Sequence, residues 1–237
     1  ADTVVFNDRL ILGDTFYGED IRRKHPSERP LWGIAKMRIA KARYIFHRFE
    51  NPIRRRAKRK EAELMELHGR IKDIVVKDPR FCLTLAEWRR YAGVDKILFS
   101  YRHPLEVARS LQKREHMPIW FGLRMWHFHV EKFLQAAQGI PLVCVDFNRF
   151  FDQSDHLAEM ERCYGFAGRT WSPEEAEEVL GKVLKKKLKN NTSVRPLPQS
   201  CAQLYRELER WRSLTCTPLP YQPDKQTRPL LDHNLSS

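Results

Sequence analysis

Glycine, long apolar runs and paired cysteines are the things this sequence has little of. Only ten of its 237 residues are glycine. None falls in the G-x-x-x-x-G-K-[ST] spacing that turns backbone N–H groups into a phosphate cradle. Gly13-Asp14-Thr15 and Gly18-Glu19-Asp20 carry acidic neighbours unsuited to holding an anion. A Walker-type nucleotide loop is therefore excluded within this sequence. No stretch approaches the roughly 18 apolar residues that a membrane-spanning helix needs, and no secretory leader pattern is visible. The five cysteines, at 82, 144, 163, 201 and 216, form no CxxC and no Cys/His ligand spacing, so a sequence-local zinc ribbon or dithiol redox motif is excluded. An odd count with three cysteines inside expected core elements reads as free thiols, which points to the cytoplasm. The alternative is a Golgi or other lumenal protein with one disulfide joining Cys201 and Cys216 around their 14 intervening residues.

What is abundant is apolar bulk and positive charge. Hydrophobic residues make up 42% of the chain and six are tryptophan, enough for one sizeable core. The net charge of +13 is uneven, because residues 36–60 hold eleven Lys/Arg against the single acid Glu50. Ile34, Met37, Ala40, Tyr44, Ile45 and Phe49 suggest a helix with a broad apolar face. Asn51-Pro52 ends it, and a second helix starts near Ile53, running through RRRAKRK into the acidic EAELMEL. Such a hairpin suits a basic insertion at about 34–68 that faces an anionic substrate or cofactor. Tyr44, Phe46 and Phe49 interleaved with arginines also permit nucleic-acid stacking, and a solvated charged face is the plain alternative.

Lys96-Ile97-Leu98-Phe99-Ser100-Tyr101 is short and largely apolar and closes on Arg102, which predicts a buried strand with an arginine at its carboxyl end. His103-Pro104 then turns the chain, with Pro at the first helical position and Glu106 in the first turn. Leu105, Ala108 and Leu111 continue at helical spacing. The carboxyl ends of strands in open α/β sheets are where ligands bind, and a helix N-terminus favours an anion there. Ser110 follows eight residues after Arg102, about 12 Å along a helix axis. A ligand touching both residues must lie beside that helix. The arginine fork suits phosphate and the serine hydroxyl adds a donor. The alternative is an arginine paired with a surface carboxylate.

Ile74-Val75-Val76 forms a second apolar run, ending in Lys77-Asp78-Pro79-Arg80. Leu83, Leu85, Trp88 and Tyr91 suit a crossover helix between the two runs, closed by Gly93. If both runs are parallel strands, Lys77 and Arg102 emerge at one sheet edge. Two cations converging there suit a doubly charged anion.

KDPR at 77–80 and RHPLEVARS at 102–110 resemble the core of sulfotransferases that use 3′-phosphoadenosine 5′-phosphosulfate. In that family a strand ends in Arg-x-Pro with a serine eight positions after the arginine, and the pair holds the 3′-phosphate. The resemblance thus implies Arg102 and Ser110 as nucleotide-binding residues. A Lys-x-Pro turn on the neighbouring strand implies Lys77 near the transferred sulfuryl group. A diluted likeness extends to residues 142–166, with Asp146-Phe147 in place of the family's Tyr-Glu, and to residues 3–12, which are similar to the region just after the family's first helix. The family's phosphosulfate loop has no counterpart here. Because the likeness begins where the first helix ends, and the chain opens on Ala1, we expect an upstream segment to carry that loop; a degenerate relative is the alternative.

Beyond Met117-Pro118, residues 119–138 predict an aromatic-rich, largely buried helix. Its His127 and His129 are read as structural rather than catalytic. Residues 140–145 predict a further strand, entered by Gly139, with Asp146 capping the following turn. Ser172-Pro173-Glu174-Glu175 is a strong helix start, with Ser as N-cap and Pro at the first position. The basic loop at 189–196 resembles one that closes over the 3′-phosphate in the family, which implies Lys189 and Arg195 as nucleotide-binding residues. Pro218, Pro220, Pro223 and Pro229 mark an extended tail over 217–237.

The expected fold is α/β, a parallel sheet flanked by helices, over a single domain at 1–216. The resemblance implies the P-loop-like sulfotransferase version of that class, short of its first strand-loop-helix. It also implies sulfuryl transfer from 3′-phosphoadenosine 5′-phosphosulfate, without a metal, to a hydroxyl of a carbohydrate or other small acceptor. The catalytic base is not identified, since Pro79 stands where cytosolic members place a histidine. A noncatalytic relative and, less favoured, a basic nucleic-acid-binding protein are the rivals.

Overall fold

A computed structural model describes residues 2–13, 51–71, 75–152, 154–183 and 196–212. They fall into two compact units. The first takes in the chain up to Val94 together with Phe128–Ala136, and the second takes in Asp95–His127 and the chain from Ala137 onward.

In the first unit, helices α1 (Asp2–Leu12), α2 (Asn51–Arg59), α3 (Glu61–Ile71) and α4 (Phe81–Tyr91) share one core. Phe6 and Leu10 recur at helical spacing on α1, Ile53 and Ala57 on α2, and Leu64 and Leu67 on α3; all are buried with Ile11 and Trp88. The Trp88 ring meets Phe6 and Phe81 edge-on, at centroid distances of 5.8 and 5.6 Å. The helix expected from Ile53 is thus two helices, parted at Lys60, whose N–H is shared between the carbonyls of Arg56 and Ala57.

The strand expected at 74–76 is not formed at its described positions. Val75 to Asp78 carry no regular structure, and Val75 is 82% exposed. A strand is held by a neighbouring ladder, and a three-residue apolar run closed by proline has too few groups to recruit one. Lys77 is therefore an exposed residue of an irregular segment, not the end of a sheet strand. The crossover helix does form, as α4, and Gly93 closes it with a φ of +83° that favours glycine.

The second unit holds β1 (Ile97–Tyr101), α5 (Pro104–Glu115), β2 (Leu142–Asp146), a 3₁₀ turn (Phe147–Phe151), α7 (His156–Ala167), α8 (Pro173–Val183) and α9 (Gln199–Arg212). Helix α6 (Ile119–Ala137) supplies residues to both units. The strands pair parallel, from Ile97 opposite Leu142 to Tyr101 opposite Asp146. Parallel pairing with intervening helices establishes the α/β class. Every residue of β2 is buried, as its continuous apolar run predicts. Val143 and Val145 pack with Cys163 of α7 and with Phe150 and Phe166.

Two arrangements fix the helices around this pair. Arg162 on α7 donates to the Cys144 carbonyl at 2.6 Å and to Glu159 at 2.7 Å. Gly122 on α6 approaches α5 so closely that a Cβ there would sit 2.8 Å from the Ala108 Cα. Ser172 caps α8 as expected, its hydroxyl accepting from the Glu175 N–H at 3.2 Å. His127 and His129 are half-buried on α6.

Candidate functional site

The carboxyl ends of β1 and β2 lie side by side, because Tyr101 is opposite Asp146 in the parallel register. Each strand hands over to a turn built by its own sequence. After β1, Pro104 fixes the first helical φ of α5, and the His103 imidazole caps that helix by accepting from the Leu105 N–H at 3.3 Å. After β2, Asp146 accepts from the Asn148 N–H at 2.9 Å and starts the 3₁₀ turn, the capping role its position predicts.

Arg102 stands between these turns. Its guanidinium carbon lies 3.5 Å from the centroid of the Phe147 ring, a stacked cation–π contact. Burial lowers the guanidinium from its ordinary value, with Glu106 and Asp146 opposing the shift. Arg102 makes no hydrogen bond or ion pair with any described residue, although it is half-buried. Ser110 lies farther along α5, also half-buried, and its hydroxyl has no hydrogen bond to a described residue.

The surroundings of Arg102 are acidic and aromatic. Glu106 is 4% exposed, and both its carboxylate oxygens accept from the Asn148 amide, at 3.1 and 3.0 Å. Tyr101 donates to Glu209 of α9 at 2.5 Å, and burial together with that bond pushes its phenol well up. Tyr205, one turn earlier on α9, meets the His103 ring edge-on at 5.0 Å and the Tyr101 ring at 6.1 Å. Burial lowers the His103 imidazole, against the pull of Glu106 and Asp146 and with some help from Arg109. Burial likewise raises the Asp146 carboxyl, which its bond from Asn148 opposes.

Two properties follow. Arg102 presents partly desolvated donors that no described residue engages, at the carboxyl end of a parallel strand, where an oxyanion would find charge and geometry together. His103, accepting at Nδ1, is held as the neutral tautomer with its proton on Nε2, so it can donate but is not set up as a base.

The other half of the expected site is different in kind. Asp78 accepts from the Asn7 amide at 2.9 Å, from the Arg80 N–H at 3.0 Å and from the Arg80 guanidinium at 3.1 Å. Arg80 Nε also donates to the buried Asp8 at 2.5 Å. Burial alone would lower the Arg80 guanidinium, but its bonds to Asp8 and Asp78 outweigh that and raise it. Asn7 Oδ1 in turn accepts from Thr84 at 2.9 Å and from the Trp88 indole at 2.8 Å. Asp78 and Arg80 are thus engaged in a buried lattice joining α1 to α4, with Asp78 already accepting three hydrogen bonds. Of the KDPR residues with charge, Lys77 alone faces solvent.

The structure keeps Arg102 and Ser110 in one unit, on one strand–turn–helix element. Lys77 belongs to the other unit, and Lys189 and Arg195 lie outside the described residues. Phe147, Asn148, Tyr205 and Glu209 were not singled out by sequence as site residues. Asp146-Phe147 was legible as a strand end; nothing in the pattern of α9 pointed to Tyr205 or Glu209. Among the described residues, no group of three His, Cys, Asp or Glu side chains is placed to hold a metal. None of the described helices is long and apolar enough to cross a membrane. Cys82, Cys144, Cys163 and Cys201 are free thiols, pushed up by burial to about 12, 12, 11 and 11 respectively. The partner of the alternative disulfide, Cys216, lies outside the described residues. Compared with family models, with curated proteins and with solved structures, the chain finds no match.

Proposed function

We propose that this protein binds a nucleotide bearing a 3′-phosphate and belongs to the P-loop-like class of sulfotransferases, moving a sulfuryl group from 3′-phosphoadenosine 5′-phosphosulfate to a hydroxyl of a carbohydrate or other small acceptor. The observation that carries this reading is Arg102: a half-buried guanidinium at a parallel-strand end, stacked on Phe147, with no described residue taking its hydrogen bonds. Its fork would hold the 3′-phosphate, and the Ser110 hydroxyl would add a donor along α5. Bound, the donor supplies the sulfuryl group and leaves as adenosine 3′,5′-bisphosphate. Anchoring the far phosphate orients the reacting end without touching it, and orientation is a large part of what such a displacement requires. The assignment of Lys77 to charge on the leaving oxygen rests on the sequence resemblance alone.

Isothermal titration with adenosine 3′,5′-bisphosphate tests the reading. Arg102→Ala should weaken binding roughly tenfold to a hundredfold, and Ser110→Ala by about fivefold. Wild-type protein that does not bind, or that binds no better than Arg102→Ala, overturns it. Transfer of labelled sulfate to an acceptor separates an enzyme from a noncatalytic relative.

A second reading, polyanion binding, is favoured by one observation. Arg54, Arg55, Lys58 and Arg59 are all exposed on α2, while Ile53 and Ala57 face the core. Nucleic-acid affinity that falls steeply with salt and survives Arg102→Ala would support it.

A further inference from the structure

An arginine next to buried carboxylates ordinarily ends in an ion pair, and Arg102 forms none with a described residue. Glu106 sits four residues on, buried in the first turn of α5, and Asp146 ends the neighbouring strand. Elsewhere in this chain a buried acid and a nearby arginine find each other: Asp8 and Asp78 take Arg80, and Glu159 takes Arg162. At Arg102 both acids are occupied by the residue two positions after β2. The Asn148 side-chain amide engages both oxygens of Glu106, and the Asn148 backbone N–H engages Asp146 Oδ1. Phe147, between them, lies against the guanidinium.

We infer that Asp146, Phe147 and Asn148 form a positioning element: Asn148 ties off the two carboxylates that would otherwise neutralise Arg102, and Phe147 holds its guanidinium flat, so that the donor fork stays available to a ligand oxyanion. This rests on the reading of Arg102 as a nucleotide anchor. None of the three residues needs to touch the ligand. Each acts through Arg102. An aromatic face satisfies a guanidinium plane while leaving its in-plane N–H donors pointing outward, which a carboxylate partner would not do. An amide neutralises no charge, yet its two N–H donors occupy one lone pair on each Glu106 oxygen and hold the carboxylate in an orientation that competes with pairing to Arg102.

The test is a set of full-length variants titrated with adenosine 3′,5′-bisphosphate, each with its melting temperature. Asn148→Ala should free Glu106 to pair with Arg102 and weaken binding about tenfold. Adding Glu106→Gln to that variant should restore affinity to within about twofold, because the competing charge is gone. Phe147→Leu should weaken binding roughly threefold to tenfold, and Phe147→Tyr should retain it. If Arg102→Ala binds as wild type does, the reading of Arg102 as the anchor falls. If Arg102→Ala loses binding while Asn148→Ala and Phe147→Leu keep it, only the positioning element falls. Loss in Asn148→Ala that Glu106→Gln does not rescue marks Asn148 as merely structural and also overturns it. Should Asn148→Ala fail to fold, the Phe147→Leu and Phe147→Tyr pair decides.

Discussion

Arg80 and Arg102 follow similar sequence, an apolar run and then a basic residue near a proline, and they end in opposite states. Arg80 is locked: Asp8 and Asp78 take its donors, and a buried lattice of Asn7, Thr84 and Trp88 surrounds them. Among the described residues, Arg102 is braced by the Phe147 ring, with its acidic neighbours engaged by Asn148. The difference teaches that a basic residue at a turn becomes a binding group only when the fold gives its natural counter-ions another partner. The first corner holds two helices together. The second has donors to offer.

The sharpest way to break this contrast is to remove each arginine in turn. Arg80→Ala removes the guanidinium that the buried Asp8 and Asp78 share and should cost about 3–5 kcal/mol, seen as a fall in the urea midpoint. Arg102→Ala loses one stacking contact and should cost no more than about 1 kcal/mol. Equal costs would mean that Arg102 is structural after all. Asn7→Ala sharpens the same point from the other side. It strands the Trp88 indole and one oxygen of Asp78, leaves the Thr84 hydroxyl only its 3.3 Å bond to the Arg80 carbonyl, and should cost about 2–3 kcal/mol. Titration with adenosine 3′,5′-bisphosphate should find its nucleotide affinity unchanged.

Within the second unit, stability should depend on packing away from Arg102. Gly122→Ala drives a methyl into Ala108 and should cost about 1–3 kcal/mol, measured by chemical denaturation. The smallest expected effect is a pH dependence. Burial lowers His103 from its ordinary 6.5, so the fold favours the neutral ring, which is also the form that caps α5. Its contribution is therefore fully present above about pH 6.5 and is lost as pH falls through the lower folded-state value. His103→Asn keeps a capping acceptor without titrating. It should remove this part of the acid slope in a pH series of urea melts, leaving the opposite-signed contribution of the raised Asp146. A wild-type and His103→Asn slope that coincide would show the cap to be energetically idle.

Much of the second unit was legible beforehand. The β1–RHP–α5 element, the Asp146 cap, the Ser172 start of α8 and the span of α6 all rest on local chemistry: a proline that fixes φ, a side-chain acceptor beside orphan N–H groups, apolar residues at helical spacing. Helix α6 is, however, not largely buried as expected, since it has one buried face and its Trp120 is 65% exposed. The KDPR segment was misread for a reason of the same physical kind. Ile74-Val75-Val76 has strand composition, but a strand is made by its neighbour, and no local pattern reveals whether one is present. The structural role of Asp78 and Arg80 was not legible because sequence shows charge and not what the charge meets; their partners Asn7 and Asp8 lie some seventy residues away along the chain. Tyr205 and Glu209 were invisible for the same reason, being brought to Tyr101 from over a hundred positions downstream.

By itself, then, the sequence determined the local devices of this protein: the turns, the caps, the fully buried β2 (though not the burial expected of β1, whose Leu98 is 46% exposed), and an arginine with a serine eight residues behind it at the start of a helix. Those depend on bonds and sterics within a few residues. Only the tertiary structure decided which charges are satisfied and which remain available. A charge in a protein is defined by its surroundings, and those come from residues that only folding brings together.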